Sequence, residues 1–427
     1  MNIIASLLLW TVAILSVYFA VFWFLVFLDG GSKEHRRKKL DTCPFVTIVV
    51  PAYNECVRED TGEIRGVVDS TIHHVMNLEY PQDRYEVIVV NDGSTDNTHE
   101  VISKAVAQYH DRNIRYINKE KNAGKHEAMN DAIALAKGEF LVSLDGDSIL
   151  KPHVLKELLT YFVEDDIACV CPNMQVLKPK TILERIQWYE YVLNMFYKKL
   201  MSHIDCVHVA PGPFSVYRID AIRHIGGFRS AHKTEDLEIT YRLQQAKYRI
   251  VQALDVKVAT KAPDTWRAFF RQRKRWFRGA LLNTFDYRKL LFSKEHGDFG
   301  FIQLPFVLAS PVMAVVMISI FLYYSLKNYF KMFKEWYVIN FDFMHYLRSL
   351  TLNFNILDLD FVSLVTFIFI FSITCYVLYK AFVACKEKLL DQGKISLGLF
   401  LFFYYLLVSS AWVMVVYDLA TRRKGKW

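Results

Sequence analysis

Four stretches of the chain carry no charged side chain: Ile3 to Leu28, Phe301 to Leu326, Phe361 to Tyr379 and Ile395 to Tyr417. Each runs roughly 19 to 26 residues, enough for a helix rising about 1.5 Å per residue to cross a hydrocarbon core about 30 Å thick. Between the first and second lies a segment of ordinary globular patterning. Val46-Thr-Ile-Val-Val50 and Val87-Ile-Val-Val90 are continuous β-branched runs stopped by Pro51 and by Asn91-Asp-Gly93, and they predict strands buried on both faces. Ile64, Val67, Val68, Ile72, Val75 and Met76 recur at helical spacing up to Tyr80-Pro81. Val101, Ile102, Ala105, Val106 and Tyr109 form a second such face, with Thr95 or Asp96 as its cap, and Ala128, Met129, Ala132, Ile133 and Ala136 form a third. Ile114 to Ile117 and Phe140 to Leu144 predict two more strands. The β-α-β-α order predicts an α/β fold with a mostly parallel sheet, whose ligands sit at the carboxyl ends of the strands.

Charge then orients the chain. Lys33, Arg36, Arg37, Lys38 and Lys39 follow the first apolar run directly, which places the globular part in the cytosol. That run is longer than a signal-peptide core and has no basic residue before it, so an uncleaved anchor is expected. Three full crossings after a cytosolic domain would put Arg422, Arg423, Lys424 and Lys426 outside, against the positive-inside tendency. Pro305 and Pro311 allow Phe301 to Leu326 to be a re-entrant hairpin instead, and the crossing count stays open. The net charge of +8 gathers beside the apolar runs, which favours anionic lipid headgroups over nucleic acid. Seven cysteines without paired metal-ligand spacing point to reduced thiols, Cys169 and Cys171 forming a buried pair rather than a zinc site.

Chemistry concentrates where the strands end. Pro51-Ala-Tyr-Asn-Glu55 follows the first strand, Asn91-Asp-Gly-Ser-Thr-Asp96 the second and Asp145-Gly-Asp147 the fourth. Asp145 and Asp147 at the mouth of a buried strand call for a hard divalent cation, Mg²⁺ or Mn²⁺, completed by substrate phosphates. Taken alone, Asp-Gly-Asp also reads as a strand-end turn, and Thr234-Glu-Asp236 as a helix cap. Gln272-Arg-Lys-Arg-Trp276 sits where Trp266, Phe269, Phe270 and Phe277 interleave with Arg267, Arg271 and Arg278, the composition of an interfacial helix.

These five motifs, in this order over residues 46 to 276, resemble the family 2 glycosyltransferases of the GT-A fold, in particular the processive synthases of cellulose, chitin, hyaluronan and poly-N-acetylglucosamine. The resemblance implies that Ala52, Tyr53 and Glu55 lie against a uridine and that Asp92 bonds the uracil edge. It implies that Lys125 and Asp145 meet the donor diphosphate, that Asp147 and Asp145 hold the metal, and that Asp236, with Glu235 beside it, is catalytic as the base. Gln272 and Arg275 would meet the diphosphate, and Trp276, Gly212 and Ser215 the acceptor. Val57 to Gly66 is longer and more charged than the usual link after the first motif, which leaves the orientation of Glu55 open.

The resulting expectation divides the chain into an N-terminal transmembrane helix (1–30), a cytosolic GT-A nucleotide-sugar-binding domain (31–265), amphipathic interface helices (266–300) and C-terminal membrane segments (301–427). The enzyme is expected in the plasma membrane, moving a sugar, with N-acetylglucosamine the leading guess, from a UDP-sugar to a growing β-linked polysaccharide that leaves through the membrane. Inversion follows from one in-line displacement with one base. The alternative is single-sugar transfer to a polyprenyl-phosphate carrier. The partners are the UDP-sugar, a glycan or lipid-linked acceptor and the bilayer, with no nucleic acid.

Overall fold

The computed structural model describes residues 3–30, 34–58, 64–146, 148–338, 340–341, 344 and 361–421. After the apolar helix α1 (Ile3–Gly30), the chain alternates strands and helices: β1 (Val46–Ala52), a hairpin of β2 (Cys56–Arg58) and β3 (Ile64–Gly66), α2 (Val67–Met76), β4 (Tyr85–Asn91), α3 (Thr98–Ala107), β5 (Ile114–Asn118), α4 (Lys125–Leu135) and β6 (Phe140–Ser143). The β-branched runs form strands as their patterns predict, and β1 and β4 are buried at every position. Their side chains alternate between two cores. Val46, Ile48 and Val50 enter the one beneath α2, α3 and α5 (Val154–Leu159), whereas Val49 enters the one beneath α4.

Two local expectations change. Ile64 belongs to β3 rather than to a helix, because Cys56–Arg58 pairs antiparallel with Ile64–Gly66 and takes up its backbone groups. The helix after β4 starts at Thr98, and Asp96 serves it from two residues ahead: one carboxylate oxygen accepts from the Thr98 N–H at 3.0 Å, the other from the Cys56 N–H at 3.1 Å.

The second half adds β7 (Ile167–Val176), α6 (Ile182–His203), β8 (Ser215–Arg218), α7 (Ile219–His224), α8 (Glu235–Gln245) and β9 (Arg249–Thr260). Together the seven long strands form one sheet in the order β5-β4-β1-β6-β8-β7-β9, in which β8 runs antiparallel to both its neighbours. That reversal matters for the site. Ser215 at the start of β8 pairs with Ser143 at the end of β6, so the loop feeding β8 arrives beside the residues that leave β6.

Helix α6 joins this domain to the apolar helices. It opens on a capping box, in which the Thr181 hydroxyl accepts from the Glu184 N–H while the Glu184 carboxylate accepts from the Thr181 N–H. Its Tyr197 ring packs 4.2 Å from Trp23 of α1. Among the described residues four further long helices follow: α9 (Trp266–Asp286), α10 (Leu304–Val338), α11 (Phe361–Ala384) and α12 (Lys394–Ala420). Trp10–Gly30, Phe299–Val338 and Lys394–Ala420 are long and apolar enough to cross a membrane, and Ile368–Ala384 is a shorter apolar helix. These are the helices of a membrane protein. No hairpin interrupts the Phe301 to Leu326 run. Pro305 follows a π-helical turn, Phe299–Gln303, that runs straight into α10, and Pro311 is carried inside the helix. Cys169 and Cys171 are buried free thiols 3.8 Å apart, and all seven cysteines are free.

Glu86 on β4 pins the sheet from below. Its buried carboxylate accepts from the Thr47 hydroxyl at 2.8 Å and the Lys137 N–H at 2.7 Å, and Arg115 pairs with it at 3.1 Å. Glu86→Ala strands these donors and is expected to cost about 3 kcal/mol of stability. A thermal unfolding midpoint equal to that of the parent protein would contradict this.

Candidate active site

The carboxyl ends of β1, β4 and β6 meet as the strand order requires. At the end of β1, the Ala52 carbonyl accepts from the Asp92 N–H at 2.9 Å, and Tyr53 is 46% exposed, so its ring is free of the core. Asn54 takes a left-handed conformation (φ 54°), and its side chain accepts from the Thr95 N–H at 2.9 Å, tying the two strand-end loops together. The Glu55 side chain lies against Gly146, where a Cβ would come within 3.3 Å of its carboxyl carbon.

Asp92 is buried, and its carboxylate accepts from the N–H groups of Ala123 at 3.1 Å and Gly124 at 2.7 Å while pairing with Lys119 at 3.1 Å. In this structure it holds the loop that leads into α4. That loop ends at Gly124, whose φ of 96° a side chain would strain, and Lys125 is the first residue of the helix.

Lys125 is the centre of the constellation. Its ammonium lies 2.5 Å from an Asp145 carboxylate oxygen and 3.8 Å from Glu235. Burial alone would depress its pKa, but the negative charges of Asp145, Glu235 and Asp236 outweigh that and raise it. Asp236, on the first turn of α8, is pushed up to about 6, first by desolvation and then by the charge of Glu235, with Lys125 and Arg275 opposing. A carboxylate poised there can accept a proton near neutral pH. Three carboxylates face one ammonium, with Arg275 the next cation.

On the β8 side, Gly212 packs so closely on Asp145 that a Cβ would lie 2.8 Å from its carboxyl carbon. Ser215 is fully buried, and its hydroxyl donates to the Pro211 carbonyl at 2.5 Å. Its part is to close the turn that presents Gly212. Asp147 lies outside the described residues, and among the described residues no group of three His, Cys, Asp or Glu forms a ready-made metal cage.

Helix α9 closes the site on the side of the apolar helices. Gln272 and Trp276 are half-buried; the Arg273 guanidinium sits 4.4 Å over the Trp276 ring and bonds Glu190 of α6 at 2.5 Å. Arg275 donates to the Lys233 carbonyl at 3.0 Å, next to the start of α8. The other side of α9 rests on α12 through Phe277 stacked on Trp412 at 4.3 Å and Lys274 paired with Asp418 at 2.5 Å. Thr234 occupies the N-cap position of α8, but its hydroxyl turns back to the Ala231 carbonyl at 3.0 Å instead of capping the helix. Two residues that no motif marks support this arrangement, Lys119 under Asp92 and Asn283 on α9. Asn283 lies one turn beyond Gly279 and two beyond Arg275, a stripe visible only once the helix is known to face the 231–234 turn.

Residues 44–279, more than half of the chain, match the family described as glycosyltransferase like family 2. The chain belongs to this glycosyltransferase family. Its site residues fall within the matched span. Among curated relatives, a beta-monoglucosyldiacylglycerol synthase of Nostoc is 25% identical over 62% of this chain and 55% of its own length. A poly-beta-1,6-N-acetyl-D-glucosamine synthase of Staphylococcus epidermidis is 28% identical over 50% of this chain and 51% of its own. The glycosyltransferase thus spans little more than half the length of these relatives. Of the solved structures, a mannosyltransferase of Pyrobaculum calidifontis, in complex with GDP-Man and Mn²⁺, superposes with a TM-score of 0.57 at 17% identity, over 74% of this chain and 86% of that one. At that identity the likeness is one of fold.

Because Gly212 touches Asp145, Gly212→Ala is expected to displace that carboxylate from Lys125 and to lower sugar transfer by at least about tenfold, as misplaced catalytic groups do. Transfer within twofold of the parent enzyme would show that the contact is slack.

Proposed function

We propose that this glycosyltransferase moves a sugar, N-acetylglucosamine being the leading candidate, from a UDP-sugar to a growing β-linked glycan, with inversion and on the cytosolic side of the membrane. The observation that carries the reading is the gathering of Asp145, Lys125, Glu235 and Asp236 at the carboxyl end of the sheet, beside exposed Tyr53 and under Arg275. Carboxylates outnumbering cations there leave room for positive charge from a divalent ion, and a Mg²⁺ or Mn²⁺ site needs only one or two carboxylates when a diphosphate supplies the other oxygens. Asp145, with Asp147, would hold that ion, which when bound neutralises charge developing on the departing diphosphate. Lys125 exchanges part of its pairing with Asp145 for phosphate oxygens, and Arg275 approaches them from α9. Tyr53 lies beside the base of the nucleotide. Asp236 accepts the proton of the acceptor hydroxyl as it attacks the anomeric carbon, and one displacement with one base inverts that centre. The Trp276 indole offers a flat apolar face to the acceptor sugar.

Export through the membrane finds support in buried polar atoms that have no partner among the described residues: the Gln272 side-chain oxygen on α9, Nδ1 of His208, the Gln303 side-chain oxygen just before α10 and Nε1 of Trp23 on α1. Such atoms are satisfied when water or a hydroxyl-rich ligand reaches them. Single transfer to a lipid is the second reading, favoured by the seating of α9 against apolar α12 and by the glucosyldiacylglycerol synthase among the relatives. Radiolabelled UDP-sugars supplied to the protein in vesicles separate the two. A polymer from one donor supports the first reading, a single-sugar lipid product the second, and label in neither contradicts both.

Four outcomes are expected. Excess EDTA abolishes transfer and Mn²⁺ or Mg²⁺ restores it; full activity in EDTA removes the metal from the mechanism. Asp236→Asn lowers turnover by about 10² to 10⁴ while UDP still binds, as loss of a positioned base does. Because Asp236 works unprotonated and its pKa is raised to about 6, kcat/KM rises with pH up to about that value and then levels. Glu235→Gln removes a neighbouring negative charge and moves the inflection to lower pH. A profile flat from pH 5 to 8 in the parent enzyme contradicts the assignment.

A further inference from the structure

The residues just before α8 are held in an uncommon backbone conformation. His232 and Lys233 are consecutive non-glycine residues with positive φ, 49° and 63°. Such a turn costs free energy and persists only where its surroundings over-determine it. Within the turn, the Thr234 N–H and hydroxyl donate to the Ala231 carbonyl at 2.8 and 3.0 Å, and from outside one helix grips it at several points. On α9, Arg275 donates to the Lys233 carbonyl at 3.0 Å, and Asp286 bonds the His232 ring at 2.9 Å. Gly279 lies against Thr234 so tightly that a Cβ would come within 2.9 Å of the Thr234 Cβ. Asn283, 1% exposed, fills the centre of this contact. Its amide donates to the Thr234 hydroxyl at 2.9 Å, to the Ala231 carbonyl at 3.3 Å and to the carbonyl of Gly279 at 2.9 Å.

Asn283 itself reaches no reacting group, but the turn it grips ends at Glu235 and Asp236. Once Thr234 is fixed, the first turn of α8 has little freedom, since the Leu237 and Glu238 N–H groups both bond the Thr234 carbonyl at 3.1 Å. We propose that Asn283 is a positioning residue for Asp236, through which α9, anchored on α12 by the Lys274–Asp418 and Phe277–Trp412 contacts, sets the place of the base. This rests on the reading of Asp236 as the base. The consequence is that the helix presenting Arg275 and Trp276 to the substrates also fixes the base, so donor, acceptor and base share one support that leans on a membrane helix.

The test is a double-mutant cycle in the full-length protein in vesicles, reading kcat for transfer and, separately, the Kd for UDP. Asn283→Ala, and Thr234→Val, which removes the same bond from the loop side and leaves α9 whole, should each lower kcat by roughly 10²-fold, as ångström-scale misplacement does. The Kd for UDP should stay within about twofold. Placed on Asp236→Asn, either substitution should lower kcat less than about twofold further, because the group it positions is gone. Two results overturn the proposal alone: losses that multiply in the double variants, or a fall in UDP affinity that matches the fall in kcat. If Asp236→Asn lowers kcat strongly while both single variants keep it within twofold, the proposal also fails and the base assignment stands. If Asp236→Asn is itself near the parent, the base assignment fails and takes the proposal with it.

Discussion

The ion pair between Lys125 and Asp145 is the contact on which the site depends, because it joins two chain segments that the sheet brings together only at its carboxyl edge. Lys125 opens α4 and Asp145 follows β6; Glu235 and Asp236 reach the same ammonium from α8. Left alone, these carboxylates would repel one another in a poorly solvated place. The ammonium holds them within reach, a task that the proposed nucleotide with its cation would take over. Desolvation first, and then the charge of Glu235, raise the pKa of Asp236 to about 6 against the pull of Lys125 and Arg275, so the arrangement that stores the site also tunes the proposed base.

Much of this was legible in the sequence. The β-branched runs at 46–50 and 87–90 formed strands, and the residues after them, Tyr53, Asp92 and Asp145, lie at one edge of the sheet because parallel strands present their carboxyl ends together. The seating of Gly212 against Asp145 was not readable from composition. It depends on β8 running antiparallel between β6 and β7, a reversal that no local pattern announces. Ile64 departs from its helical spacing for a related reason: a hairpin partner takes up the backbone groups of its segment. Thr234 has the chemistry of a cap and the position of one, yet Asn283, close to fifty residues away, draws its hydroxyl elsewhere. Long-range partners override local preference at each of these positions.

The junction of the domain with its apolar helices carries as much of the functional argument as the sheet does. Helix α6 meets α1 through Trp23 and Tyr197, and meets α9 through Glu190 and Arg273. Helix α9 then has one side on the turn that leads into Glu235 and Asp236 and the other on α12. In the proposed reading Trp276 need not choose between an interfacial and a catalytic role, since its helix lies between the carboxylate cluster and the apolar helices. The membrane helices are thereby part of the active site's scaffold.

The most direct measurement is an experimental density map of the full-length protein in lipid with UDP and Mn²⁺ present. The account predicts the diphosphate and a metal peak at the carboxyl end of β6, within coordination distance of Asp145, with the Lys125 ammonium turned toward phosphate and the Tyr53 ring beside uracil. A nucleotide bound elsewhere, or a Lys125–Asp145 pair undisturbed by a bound diphosphate, would contradict it.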